Sequence, residues 1–407
     1  MQEIFSLKPY RFIPPYQSRW FSRISRWVRF HRRLIWKLEG VRGYEVRGAE
    51  HLQTSLNAGH SIVLAPNHSR TADPIAFGFL EEKLNVDLFA MASWHVFNQG
   101  WLTTQVVRGL GAFSVNREGL DRASIDYALK ILETHERPLV IFPEGSTSRT
   151  ADRLMPFMDG LGFIARTGAK KRQALDGGKT VIHPIAFHYR YSGDLVAAVT
   201  PVLERIEHRL TWQPSRVAEL LPRIHRIGMA LLSIKEIEMF GTEQTGSLAE
   251  RLSNLIERLL QPLEIKWLSG PQTGTTSARI KTLRTKILPD MTEGKVPANE
   301  MPARFTDLRD TYIAHQMACF PLAYLQERPS VDRIRETVER FEEDITDKAP
   351  LFSPLKCVIE IGAAIEVTTD RAARRGADGD PLVQQVFDHL QAMLTRLGLE
   401  SPLYTGP

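Results

Sequence analysis

The chain is predicted to be an α/β protein, a sheet flanked by helices, with a basic amphipathic helix ahead of it and a largely helical stretch behind. Three observations predict this. Between about 43 and 207, apolar runs of strand length alternate with stretches of helical period. From about 208 to 350 the strand signal gives way to long amphipathic patterns. Strand composition then returns at 356–367, before one last helical stretch.

The 407 residues, 43% hydrophobic and 24% charged, suffice for a sizeable core. The formal charge of +5 favours acidic partners such as phosphate or anionic lipid without choosing between them. The two cysteines, Cys319 and Cys357, have neither paired nor metal-ligand spacing and read as buried thiols in a reducing compartment. No apolar run approaches the ~18 residues needed to span a bilayer, and the first residues lack a signal-peptide pattern. A cytoplasmic protein touching the inner face of a membrane peripherally is therefore expected.

Taken in order, the segment from Tyr10 to Lys37 intersperses arginines with Trp20, Phe21, Trp27, Phe30 and Trp36. Pro14 and Pro15 delay the helix to about Gln17, after which Trp20, Ile24, Trp27 and Leu34 share one face. Such a helix suits a bilayer interface, where each Arg adds about 1 kcal/mol on an anionic leaflet. It also fits a basic helix packed on its own domain. Nucleic acid is not expected as a partner, since no recognised nucleic-acid fold follows the patch.

Strands are expected at 43–48, 61–66, 86–92, 138–143 and 181–191, with helices at 73–84 and 122–135 and a Gly/Lys-rich loop near 170–179. Farther on, 214–240, 246–268 and 331–345 read as helices, 269–278 as a polar hinge, and 356–367 as a strand. No internal repeat is apparent.

Three motifs sit at the ends of strands, where sheets of this class place ligands. The first is Asn67-His68-Ser69-Arg70-Thr71-Ala72-Asp73. His and Asp five apart in a strand-to-helix turn can fold together, the carboxylate taking Nδ1–H and leaving Nε2 as a base. The same residues also fit Asp73 as a helix N-cap before Pro74, with a plain loop histidine. The second is Phe142-Pro143-Glu144-Gly145-Ser146-Thr147-Ser148-Arg149, a polar floor or a capped glycine turn, with Arg149 able to meet phosphate. The third, Gly111 to Arg117, ends a short apolar strand in a lone arginine.

In one chain and in this order, NHSRTAD, GAFSVNR, FPEGSTSR and VIHPIAF resemble the motif series of the glycerolipid acyltransferase superfamily, the lysophosphatidic acid acyltransferases and their relatives. The resemblance implies a mixed sheet flanked by helices, and direct acyl transfer from acyl-CoA or acyl carrier protein to a lysophospholipid hydroxyl. His68 would be the base and Asp73 its partner. Arg117 would bind acceptor phosphate, Glu144, Gly145 and Ser146 would shape the acceptor site, and Arg149 would add a phosphate contact. Neither metal nor cofactor is implied, only the acyl donor as co-substrate and membrane lipid as partner. The block that often runs Gly-Thr-Arg-Ser here has Thr147 where the phosphate-binding Arg usually stands. The acceptor is therefore open: another lipid or glycolipid hydroxyl, or a non-catalytic membrane-binding relative, remains a reading beside lysophosphatidic acid. The implied organisation is a membrane-binding segment at 1–42, a catalytic core at 43–207, a helical insertion at 208–350 and a closing strand and helix at 351–407.

Overall fold

The computed structural model describes residues 8–117, 119, 121–211, 213, 219–369 and 380–406. It divides into two compact units, one of 10–192 with 353–400, the other of 193–352 with the terminal segments.

The first unit runs α1 (Trp20–Trp27), α2 (Phe30–Glu39), β1 (Val41–Arg47), α3 (Ala49–Asn57), β2 (Ser61–Pro66), α4 (Asp73–Leu84) and β3 (Phe89–Ser93). It continues with α5 (Trp94–Phe97), α6 (Trp101–Gly109), β4 (Ala112–Val115), α7 (Arg122–Thr134), β5 (Leu139–Val140), α8 (Gly160–Asp176) and β6 (Thr180–Tyr191). The chain then forms the helical unit, α9 (Leu195–Thr211), α10 (Leu220–Phe240), α11 (Leu248–Leu268), α12 (Thr276–Thr292), α13 (Met301–Ala318), α14 (Pro321–Glu327) and α15 (Val331–Thr346). It returns to the sheet as β7 (Leu355–Ile361) and β8 (Ile365–Glu366), and α16 (Pro381–Leu399) follows.

The sheet order is β1-β7-β6-β2-β5-β3-β4, with β8 also beside β6. It is mixed: β6 runs antiparallel to β7 and β8, and every other pair is parallel. The strand expected at 356–367 is thus two, with β7 between β1 and β6 and β8 beside β6. Ile361 pairs with Ile185 and Ile365 with Ile182, so 362–364 bulge opposite 183–184. Pro184 sits at that bulge, where a missing N–H breaks no regular ladder, and its carbonyl accepts the Gly362 N–H at 2.8 Å.

Alternation along the strands sends side chains to two cores. Ile62, Leu64, Ile185, Phe187 and Ile359 pack with Ile35 of α2, Leu52 of α3 and Phe77 and Leu80 of α4. Val63, Ala65 and Ile182 pack on the other face with Leu132 of α7, Ile164 and Ala165 of α8, and Val386 of α16. Both faces are covered, as a largely parallel sheet requires.

Two local expectations change. Residues 170–176 finish α8 instead of forming a loop, because the helix continues to its left-handed cap at Gly177, φ 73°. The N-terminal segment forms two helices, not one, broken at Arg29, whose φ is 53°. Residues 1–7 of that segment and the expected helix start at 214–218 lie outside the described residues.

The helical unit does contain a repeat. Glu236-Gln244-Arg251 and Glu264-Gln272-Arg279 stand at identical offsets, with Gln-Thr-Gly in each loop. Each buried glutamate pairs with its arginine in the first turn of the next helix, at 2.6 and 2.7 Å. Each also accepts the glutamine's backbone N–H, at 3.1 and 3.0 Å. Glu207 of α9 and Arg223 of α10 make a related pair, at 2.6 Å. Few identities mark this repeat because the helices between the clasps need only apolar periodicity.

Candidate active site

His68 follows β2 at its C-terminal end, and three parts of the fold hold it. Its backbone N–H donates to Glu144 Oε1 at 2.6 Å, and its carbonyl accepts the Ser148 N–H at 2.8 Å. The loop after β5 therefore clasps the loop after β2. Its ring packs on Phe142, with centroids 4.3 Å apart. Next door, the Asn67 side-chain amide bridges to the backbone of Phe187 in β6, at 2.7 and 3.0 Å.

His68 Nδ1 lies 3.0 Å from Asp73 Oδ2. The helix N-cap is Ala72, and Asp73 is the first residue of α4. Its carboxylate caps no helical N–H; it turns back to His68 and to the Arg70 N–H, 2.8 Å from Oδ2. The N-cap reading of Asp73 is thereby corrected. The Tyr189 hydroxyl of β6 donates to Asp73 Oδ1 at 2.6 Å. Three donors thus compensate a carboxylate that is 0% exposed. With Nδ1 taken, Nε2 makes no hydrogen bond among the described residues, and the side chain is 17% exposed. Such an imidazole is oriented, tautomer-selected and reachable.

No motif marks Tyr189, and Arg70 lies inside the first motif without a role of its own there. Arg70 pairs with Glu39 at the end of α2, and its guanidinium lies 5.2 Å from the Tyr189 ring centroid. The only signal for Tyr189 was its place at the end of β6, the strand parallel to β2.

Glu144 is 2% exposed, and both its oxygens are occupied, Oε2 accepting the Met155 N–H at 2.8 Å. The family resemblance implies that Glu144 shapes the acceptor site; its carboxylate is instead directed to backbone N–H groups and holds the His68 loop. Burial pushes this carboxyl up to about 8, against the two N–H bonds that favour its anion.

Gly145 has φ 71°, and a Cβ there would lie 2.3 Å from Met158 Sδ, so this turn needs glycine. The Arg117 guanidinium, beyond β4, donates to the Gly145 carbonyl, which brings the third motif to the second. Ser146 and Arg149 are half-buried in the same loop, Arg149 in the left-handed region at φ 62°. His95 in α5, at the end of β3, stays neutral far into the acid range: burial and then the Arg117 charge lower it to about 4. The loops after β2, β3, β4 and β5 therefore meet at one end of the sheet.

Residues 43–188 match the family model for acyltransferases. This is an acyltransferase domain of the glycerolipid acyltransferase family. A search of curated proteins found no match to the chain. The matched residues of the acyltransferase domain run from β1 to His188 in β6, and hold His68, Asp73, Arg117 and Glu144. Tyr189 lies one residue beyond. An apolar crevice of about 60 Å³ is lined by Phe77, Ile75, Leu34 and Phe142 among others, and the Phe142 ring also touches His68. No cluster of three metal-ligating side chains occurs among the described residues.

Proposed function

We propose that the acyltransferase domain moves a fatty acyl group from acyl-CoA or acyl carrier protein to a lysophospholipid hydroxyl at a membrane surface. One observation carries the chemistry: the His68 Nδ1–Asp73 contact, with Nε2 left for substrate. In this reading Nε2 takes the acceptor's hydroxyl proton as its oxygen bonds to the thioester carbonyl carbon. The carbon–sulfur bond then breaks, and the imidazolium returns the proton to the departing thiolate. Asp73 stabilises the imidazolium, and Tyr189, Arg70 and Glu144 hold the pair in place. In this reading Arg117, Arg149 and Ser146 meet the acceptor phosphate, and the crevice beside Phe142 takes the start of an acyl chain.

The membrane surface is supported by an inverted helix. In α1, Ser22 and Ser25 are buried, while Trp20, Ile24 and Trp27 are 62, 49 and 84% exposed. Polar contacts hold the inner side, with the Ser22 hydroxyl 2.7 Å from Asp87. An apolar, arginine-flanked face turned outward suits insertion among headgroups and acyl chains. No helix among the described residues is long and apolar enough to cross a membrane, so this contact is peripheral in our reading.

The test is an acceptor panel of lysophospholipids and other lipid hydroxyls assayed with palmitoyl-CoA and palmitoyl carrier protein, following both esterified product and free thiol. Matched ester and thiol, lost in H68A, is the expected result. Thiol release without ester, or turnover unchanged in H68A, defeats the reading.

A further inference from the structure

At the opposite end of the sheet from His68, a cleft of about 660 Å³ opens between α1 and the segments entering β2, β3 and β5. That size suits a small ligand or a headgroup. Its acids are already answered within the fold. Asp87 receives Arg26 and the Ser22 hydroxyl, and Glu82 pairs with Arg32 at 2.7 Å and Arg29 at 3.4 Å. Glu136, with a side chain 41% exposed, lies 3.5 Å from Arg137.

The basic groups are not all answered. Arg23 is exposed and has no ion pair among the described residues. Arg137 is 4% exposed, and its guanidinium lies 4.4 Å from the Phe89 ring centroid. One of its terminal nitrogens donates to the Gln17 carbonyl, yet its Nε is buried with no hydrogen-bond partner. His60 Nδ1 is buried and unpartnered as well. The exposed Arg19 and Arg23 guanidinium groups line the cleft beside Arg26, and a tetrahedral oxyanion supplies charge-assisted acceptors to such a cluster.

We propose that this cleft is a second anion site that binds a phosphate group, remote from the reaction at His68. Trp27 forms part of its wall and is 84% exposed. A phospholipid headgroup entering beside α1 is therefore one source of the phosphate, an assignment that rests on the membrane-surface reading above; a soluble phosphate ester is the other.

The experiment uses the full chain and variants R23Q and R137M, with R33Q, an exposed arginine of α2 outside the cleft, as the charge-matched control. Binding of radiolabelled inorganic phosphate and of glycerol phosphate is measured by equilibrium dialysis. Retention on phosphatidylcholine vesicles is measured with and without phosphatidylglycerol. Loss of one charge-assisted contact is expected to weaken binding about tenfold in R23Q and R137M, and R33Q is expected to bind as the unaltered chain does. Discrimination in the dialysis arm assigns a soluble phosphate, and discrimination in the vesicle arm alone assigns the lipid headgroup. Equal loss in R33Q, or no loss in R23Q, in both arms overturns the site. R23Q alters an exposed side chain and decides the matter even if R137M fails to fold. Acyl transfer by the unaltered chain is read in parallel: transfer without anion binding rejects the cleft alone, and anion binding without transfer rejects the acyltransferase reading alone.

Discussion

Glu144 Oε1 accepts the backbone N–H of His68 at 2.6 Å, so the carboxylate after β5 fixes the backbone of the histidine after β2. Above pH 8, where this carboxyl is ionised, Glu144→Gln sets an amide NH₂ against a backbone N–H that needs an acceptor, at a cost of about 1–3 kcal/mol. Urea unfolding should show that loss, and kcat should fall further than KM rises, because the imidazole is displaced. Full stability with a purely KM defect would instead make Glu144 an acceptor ligand.

The same residue gives a pH dependence with a definite sign. Its folded value, about 8, lies above the ordinary 4.5, so the native state binds the extra proton between them. Its contribution to stability is full below pH 4.5 and is lost as pH rises through 8. E144Q should flatten the decline in Tm across that window, and an unchanged profile would count against this assignment.

Asp73→Asn leaves the shape but offers His68 the wrong partner, and kcat should fall by about 10³–10⁴. Tyr189→Phe removes one donor to the same carboxylate and should lower kcat by about tenfold or less, at little change in KM. Steady-state kinetics of both single variants and the double variant tests this; additive losses would place Tyr189 outside the His68–Asp73 unit.

Arg117 helps keep His95 neutral. In Arg117→Met, the His95 value should move upward from about 4 toward 6.5, part-way only, since burial is the larger cause. With the lower folded value, His95 contributes stability above pH 6.5 that is lost as pH falls through 4. Imidazole NMR titration of the variant reads the shift directly, and an unmoved resonance would separate the two residues.

Trp20 and Trp27 of α1 are largely exposed, so replacing both with Ser should change stability by no more than about 0.5 kcal/mol each. Co-sedimentation with anionic vesicles should drop sharply. Unchanged sedimentation would return α1 to an ordinary surface helix.

Period and punctuation make most of the acyltransferase domain legible in the sequence. Apolar runs marked β2 and β6, Asp-Pro marked the start of α4, and the ordered motifs marked His68, Asp73, Arg117 and the Glu144–Arg149 loop. These signals are local, carried by residues adjacent in the chain. What sequence alone left open was whether Asp73 caps a helix or serves His68, because both roles use the same residue types. Tertiary structure decided it, by placing Tyr189 of β6 and the Arg70 N–H around the carboxylate. It also broke the N-terminal helix at Arg29, turned the aromatic face of α1 outward, and set β7 inside the sheet. Those outcomes depend on pairings between residues far apart in sequence, and no periodicity along the chain encodes which strand end a loop will meet.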